Sequence, residues 1–463
     1  MSRPKKIAVL VHNDVVRDAR VRKQARSLVE AGHEVEVFGF STASNDYPTI
    51  IEGGARLKIT SVRSMNLFMK ISLALVKLIT GNLTAKLLLT LLVMTGLNTL
   101  ILGAVVGSLN AQWVFVLSLT LICLFFLLIL LGGVTFIFFR SYIDAWIAVN
   151  WKYDAIARSL ASNVIGESYD AVHCHDIIAM IAGAIVKKTE PSIKMVWDAH
   201  ELYTDINYPN KFMGLHIGKK IRKIAPVVDS MITISQSFVE IYAERFPDLP
   251  SAEVVMNATR RPLKNDLNRS LLRNAAKVSD KQKVLLFQGG FGPHRGIEML
   301  LDAATKLPAN WSVVFMGYGP LQGQIEAAAK SANIERKDGA QCIILVDAAP
   351  EEVLRDWTSG ADLGIIPYEN SSNNHLFCTP NKLWEYPNAR VPILATDLIE
   401  MNQIITANGT GVLLPREFTA EDIVNAISGI SDSQLEEWRS NCDTFNSSEN
   451  WEKFEPNLLK VYA

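Results

Sequence analysis

Between Lys86 and Arg140 the chain carries no charged side chain, and almost every residue there is Leu, Val, Ile, Phe, Gly, Thr or Ser. A helix at a protein surface keeps one wet face, so an uncharged run this long limits the possible folds more than any other part of the sequence. It divides at Ser108-Leu109-Asn110-Ala111-Gln112, leaving Leu87 to Gly107 and Trp113 to Phe139. Each half has the ~20 apolar residues and ~30 Å of helical reach that a hydrocarbon core requires. Backbone polar groups in lipid must be satisfied within the segment, so the expectation is a two-helix transmembrane hairpin. The competing reading is a helical hairpin buried in a soluble core.

The flanks give the hairpin an orientation. Lys70, Lys77 and Lys86 precede it, Arg140, Lys152 and Arg158 follow it, and the turn is uncharged, which puts both chain ends in the cytosol. The expected location is therefore the inner or cytoplasmic membrane, crossed twice, with the remaining domains cytosolic. Trp113 at the turn and Tyr142, Trp146 and Trp151 after the second helix have rings that favour the headgroup layer. Gly103 and Gly107 are spaced for close helix packing, opposite Gly132-Gly133. Asn98 either hydrogen-bonds across the pair or to another subunit of a homo-oligomer, or is a tolerated polar residue. Met65 to Ile79 sets Leu67, Ile71, Leu75 and Leu78 against Lys70 and Lys77, the pattern of an interfacial helix or of an ordinary surface helix. The N-terminus shows no signal-peptide pattern, so the membrane address is expected from the hairpin.

Outside this insertion the chain reads as α/β. Ile7 to Val11 is a short apolar run, Arg17 to Ala31 places Val21, Ala25, Leu28 and Val29 on one helical face, Gly32 stops it, and Val35 to Phe40 is a second strand. Strand, helix and strand with short connections open a doubly wound parallel sheet. Further strands are expected at Asp170–His173, Met195–Asp198, Met231–Ser235 and Val254–Asn257. After a polar linker around Thr259 to Arg273 the pattern restarts at Val284–Phe287, Trp311–Met316, Cys342–Val346, Leu363–Ile366 and Val391–Leu394. Two such halves imply a ligand cleft beyond the carboxyl ends of their strands. The 463 residues suffice for both, and the formal net charge of -1 argues against a nucleic-acid partner. Five scattered cysteines without CxxC spacing suggest neither a disulfide frame nor a zinc site.

Gln288 to Gly296, with Gly289, Gly290 and Gly292, follows a strand and precedes a helix, where backbone amides can meet an anion and Arg295 can neutralise a diphosphate. Gly317 and Gly319 repeat the turn one unit later. Then come Ala361 to Tyr368, Pro380-Asn381-Lys382-Leu383-Trp384-Glu385-Tyr386, Val391 to Asp397 and Gly411 to Pro415.

The order and wording of these blocks resemble the donor-binding half of the GT-B glycosyltransferases of family 4. The likeness covers nearly the whole chain apart from the hairpin and its flanks, and Pro380 to Glu385 is its most specific part. It implies two Rossmann-like domains: an acceptor domain over residues 1–262, with the interfacial helix 65–80 and hairpin 86–140 inserted, and a donor domain over 263–440. A tail, 441–463, with Trp451, Phe454, Leu458, Leu459 and Tyr462 as an apolar stripe, would cross back to the first domain. It also implies a nucleotide-diphospho-sugar donor, retention of anomeric configuration, and neither a bound metal nor a cofactor. By position, Arg295 matches the residue gripping the donor diphosphate, and Glu385 the second acid of a paired-glutamate motif, which binds the ribose hydroxyls. Asn381 and Lys382 belong to the same block, Lys382 assisting with phosphate charge. Phe377 stands where the first acid should be, and Gly290 and Phe291 where an arginine usually follows the first glycine turn.

In the first half, His12-Asn13-Asp14 ends strand one, and Arg20 and Arg22 follow at a helix start, where the dipole favours anions. Either a bound phosphate lies near them, or they are solvated and anchored by Asp18. By the resemblance, His175, in His173-Cys174-His175-Asp176, matches an active-site histidine facing the sugar, and His200 and Glu201 line a second cleft turn. The expected function is sugar transfer to a lipid-linked or glycolipid acceptor at the bilayer, in glycan or polysaccharide biosynthesis. The alternatives are a catalytically silent GT-B scaffold at the membrane and a sugar-nucleotide epimerase.

Overall fold

The computed structural model of the chain describes residues 3–16, 18–41, 47–61, 140–262, 266–335 and 341–463. The proposed interfacial helix 65–80 and the apolar hairpin through Phe139 lie outside the described residues. Among the described residues no helix is long and apolar enough to cross a membrane.

Two parallel sheets dominate. The first contains β1 (Lys6–Leu10), β2 (Glu34–Ser41), β3 (Arg56–Ser61), β4 (Ala171–His175), β5 (Lys194–Ala199), β6 (Ser230–Thr233) and β7 (Ala252–Val254), ordered β3-β2-β1-β4-β5-β6-β7. The second contains β8 (Lys283–Gly290), β9 (Trp311–Tyr318), β10 (Ile343–Val346), β11 (Leu363–Ile366), β12 (Ile393–Thr396) and β13 (Gly411–Leu414), ordered β10-β9-β8-β11-β12-β13. Both are doubly wound, and chain direction across the sheet reverses between β1 and β4 and between β8 and β11. Central strands covered by helices on both faces need apolar side chains on both, which is why Ile7, Ala8, Val9 and Leu10 are all buried.

Helices of the first domain are α1 (Ala19–Glu30), α2 (Tyr153–Ala161), α3 (Asp176–Thr189), α4 (Met213–Ile224) and α5 (Gln236–Arg245). Those of the second are α6 (Ser270–Ala276), α7 (Ile297–Ala304), α8 (Gln322–Glu335), α9 (Leu354–Ser359), α10 (Asn373–Leu376), α11 (Lys382–Asn388), α12 (Ile399–Asn408) and α13 (Ala420–Gly429). Asp18 starts α1 by accepting the amides of Arg20 and Val21, and Gly32, at φ 89°, follows its end. Helices α14 (Asp432–Ser448) and α15 (Trp451–Lys460) close the chain. The latter lies against the first domain: Trp451 Nε1 donates to Ser27 Oγ at 2.8 Å and Asn457 Nδ2 to the Val254 carbonyl at 2.9 Å.

The linker region is partly structured, since α6 begins inside it at Ser270. Strands β3 and β13 were not among the strands expected from the sequence. In β3, Arg56 and Lys58 alternate with Leu57 and Ile59 at a sheet edge, and so lack the continuous apolar run of the buried strands.

Candidate active site

A cleft of about 970 Å³ opens between the domains at the strand ends where a ligand of such sheets is expected. Arg22, Lys23, Asn257 and Arg260 line it from the first domain, and Gly289, Gly290, Gly317, Asn381 and Glu385 from the second. Among the described residues, contacts that span it include Asn257 Nδ2 donating to Asn381 Oδ1 at 2.7 Å, Asn388 Nδ2 donating to the Arg260 carbonyl at 3.2 Å, and Arg22 pairing with Glu351.

Glu385 sits in the first turn of α11 and accepts a hydrogen bond from Gln288 Nε2 at 2.7 Å. Gln288 in turn accepts from Thr358 Oγ1 at 2.8 Å. This chain fixes the carboxylate at the cleft wall, and neither Gln288 nor Thr358 was recognisable as a site residue from sequence. The only local signal was that Gln288 is a polar residue directly after the apolar run Val284–Phe287.

The glycines do different jobs. Gly289 (φ 112°) lies where an added Cβ would come 3.0 Å from Lys382 Nζ, so its bareness lets the ammonium approach the turn. Gly317 (φ 155°) packs against the Gly289 carbonyl, which an added Cβ would approach to 2.0 Å. Gly319 is held against the Phe291 backbone. Phe291, in place of the usual arginine, is fully buried against Phe287 and Phe315.

Positive charge arrives instead from Arg295, before α7, and Lys382, at the start of α11. Both meet the phenol of Tyr368, just past β11. The Arg295 guanidinium donates to Tyr368 Oη and lies 4.9 Å from the ring centroid, and Lys382 Nζ donates to the same oxygen at 3.3 Å. Lys382 is 7% exposed. Among the described residues neither cation forms an ion pair with a carboxylate. Two cations gathered at the β8/β11 switch point without a counter-anion form an anion-binding arrangement.

The first domain corrects one expectation. Arg20 is not available to a phosphate: its Nε and NH2 donate to the two oxygens of Asp198 at 2.9 and 2.7 Å, and NH1 donates to the Val255 carbonyl at 2.8 Å. Gln24 Nε2 adds a bond to Asp198 at 2.7 Å, and all three side chains are buried. The helix-start arginine is thus answered by a carboxylate from β5. Arg22 is engaged by the Val16 carbonyl and Glu351.

His173 and His175 stack at 4.5 Å beside Asp198 and are fully buried. His175 Nδ1 is 3.3 Å from Asp198 Oδ2, yet neither of its ring nitrogens has a hydrogen-bond partner among the described residues. His173, His175 and Asp198 would suit a metal ion by residue type and proximity. However, Arg20 already occupies both Asp198 oxygens, and its charge would oppose a cation there. Burial would raise the Asp198 pKa, but the Arg20 guanidinium and the histidines hold it well below the usual carboxylate range. Burial and the neighbouring His175 push His173 down to about 4.

His200, the residue directly after β5, keeps 28% of its side chain exposed. Burial raises the pKa of adjacent Glu201, opposed by the charges of His200 and Arg295. Of the two histidines singled out from sequence, His200 is the one open to a ligand. Asn13 serves its own turn, donating to Asp18 Oδ2 and accepting from the Val15 amide, each at 2.8 Å. Phe377 packs against the hydrophobic core of the first domain, and nearby Asn374 accepts the Leu202 amide at 2.7 Å. The segment that would carry the first acid therefore bridges the domains. Lys23, also unforeseen, lies over Trp451 and donates to the Ala258 carbonyl; burial and then the Arg20 charge push its pKa to about 7.

Two parallel-sheet Rossmann-like domains facing each other across this cleft are consistent with the GT-B fold. Sucrose-phosphate synthase from Thermosynechococcus elongatus superposes with a TM-score of 0.65 at 14% identity, over 99% of this chain and 98% of that one. Anabaena HepE, in complex with UDP and glucose, gives 0.58 at 12% identity, over 99% and 97%. Residues 282–433, within the second domain, match the family described as glycosyl transferases group 1. In sequence, the chain is 24% identical over 257 residues to the lipopolysaccharide 1,2-N-acetylglucosaminetransferase of Salmonella typhimurium, covering 52% of this chain and 64% of that protein. The chain thus matches less than two thirds of that relative's length.

Proposed function

We propose that the protein is a membrane-anchored glycosyltransferase that moves a sugar from a nucleotide-diphospho-sugar to a lipid-linked or membrane-proximal acceptor in polysaccharide biosynthesis of the lipopolysaccharide type. The observation that carries this reading is the convergence of Arg295 and Lys382 on Tyr368 beside the Gly289 turn, with no carboxylate paired to either among the described residues. A diphosphate bound there would lie next to Glu385, whose oxygens suit ribose hydroxyls. The group 1 domain, the relative's name and the UDP and glucose bound to Anabaena HepE support the same donor chemistry.

In the transfer, the bond from the anomeric carbon to the diphosphate breaks as a bond to the acceptor oxygen forms. Negative charge grows on the leaving diphosphate, where Arg295, Lys382 and the amides of Gly289 and Gly290 stabilise it without requiring a bound metal. In a retaining, front-face transfer the departing phosphate oxygen takes the acceptor proton, so no separate protein base is needed. His200 and Glu201, on the first-domain side near Arg295, position the sugar and the acceptor hydroxyl. The uncharged stretch 87–139 supports a two-pass anchor that holds the cleft near headgroups.

The test uses labelled sugar transfer to lipid and to water-soluble acceptors. Preference for the lipid, lost when 87–139 is deleted from a folded protein, supports the reading; equal activity on both, unaffected by that deletion, defeats the membrane part. A catalytically silent scaffold is the second reading, favoured by Phe377, which brings no oxygen to a sugar. Nucleotide-sugar binding without turnover on any acceptor would select it.

A further inference from the structure

On the first domain, the surface after the uncharged stretch is neither fully polar nor covered. Ile143, Trp146 and Trp151 are exposed by 36%, 42% and 45%, and Leu215 on α4 by 47%. The rings of Trp146 and Trp151 lie 6.2 Å apart. Large apolar side chains gathered on one face of a folded domain mark an interaction surface.

The helical residues 140–152 and α4 form one continuous face. Tyr142 packs between them, 5.6 Å from Phe212 and 4.6 Å from His216, and accepts Lys219 Nζ at 3.5 Å. Helix α4 contains no acidic residue. Its exposed positions Leu215, Lys219, Arg222 and Lys223 follow helical spacing, so one stripe is wholly apolar or cationic. The acids nearby are already engaged: Asp154 with Lys220 at 2.8 Å and Asp144 with Arg140 at 3.6 Å. Exposed indoles on a domain face that also carries exposed lysines match the interfacial zone of a bilayer, where amphipathic rings sit among headgroups and basic side chains meet anionic phosphates.

We propose that this face, Ile143, Trp146, Trp151 and Leu215 with Lys219 and Lys223, docks onto an anionic phospholipid surface. The inference rests on the membrane reading above and extends it from the hairpin to the domain. Docking tilts the first domain so that the loop between β5 and α4, which begins with His200 and Glu201, faces the bilayer. The cleft is thereby oriented toward an acceptor held in the membrane.

The test reconstitutes the full-length protein in nanodiscs of brominated phosphatidylcholine, with or without a minority of phosphatidylglycerol, and follows tryptophan quenching. The expected result is extra quenching in the phosphatidylglycerol discs. That extra component disappears in W146F/W151F and in K219Q/K223Q, and at about 1 M salt, where screening acts over ~3 Å. Circular dichroism checks that both variants keep the native fold. Quenching identical in wild type and W146F/W151F, with the protein still co-eluting with discs, overturns the docking face and leaves the anchor standing. Failure to co-elute at all overturns both. Concentration-dependent self-association that W146F/W151F abolishes, without bromolipid quenching, would replace the lipid by a second copy of the chain and also overturn it.

Discussion

Arg295 and Lys382 reach the same phenol oxygen, that of Tyr368, from two different elements, the loop after β8 and the first turn of α11. Like charges that share one phenol repel each other and are relieved by an anion. Arg295→Ala and Lys382→Met are therefore expected to change unfolding free energy by no more than about 0.5–1 kcal/mol, while lowering transfer about 10²- to 10³-fold. The thermal shift given by saturating nucleoside diphosphate, worth about 2.7 kcal/mol at a hundredfold excess over Kd, should also vanish. Wild-type turnover in either variant would place the diphosphate elsewhere.

Glu385→Gln tests the nucleoside end. Losing a charge-assisted hydrogen bond costs about 1.5–3 kcal/mol, so the donor KM should rise roughly 10- to 100-fold with kcat less affected. Steady-state kinetics over donor concentration separates the two, and an unchanged KM would remove Glu385 from the ribose site.

Lys23, pushed to about pH 7 by burial and then by Arg20, lines the cleft. It is protonated at pH 6 and mostly neutral at pH 8.5, and a bound anion favours its charged form. Binding of a nucleoside diphosphate should take up a proton near neutrality, and affinity should fall as pH rises through 7, by about tenfold. Calorimetry in buffers of different ionisation enthalpy reads the proton. Lys23→Met should flatten the profile relative to wild type; the same slope in both proteins would remove Lys23 as its source.

Asp198→Ala strands the buried Arg20 guanidinium and should cost about 3–5 kcal/mol in denaturant unfolding. The Asp198 carboxyl in the folded protein lies below its unfolded value near 3.8, so its stabilisation is complete above that value and is lost as pH falls toward the folded pKa. Asp198→Asn should lose less stability than wild type does on acidification below about pH 4. Equal acid sensitivity would deny Asp198 that role.

The sequence read best where buried parallel strands force continuous apolar runs: β1, β8 and β9 were visible as such. The place of Gly289 and Glu385 at the cleft wall was legible because both lie in local motifs. Tyr368 was not, because its position between Arg295 and Lys382 depends on β11 lying beside β8. Neither a phosphate nor solvent with Asp18, the two readings open for Arg20 in the sequence, is what engages its guanidinium, because its partner, Asp198, is 178 residues away. His175 ends β4 and His200 directly follows β5, and only the packing around these strands buries one and leaves the other open.

The most direct measurement is a screen of nucleotide-diphospho-sugars with purified full-length protein in nanodiscs containing a native lipid extract, read by mass spectrometry. The account predicts that one donor yields a nucleoside diphosphate together with a lipid product heavier by one sugar residue, and that neither forms with Arg295→Ala. Donor consumed without any glycosylated product, or product formed at the wild-type rate by Arg295→Ala, would contradict it.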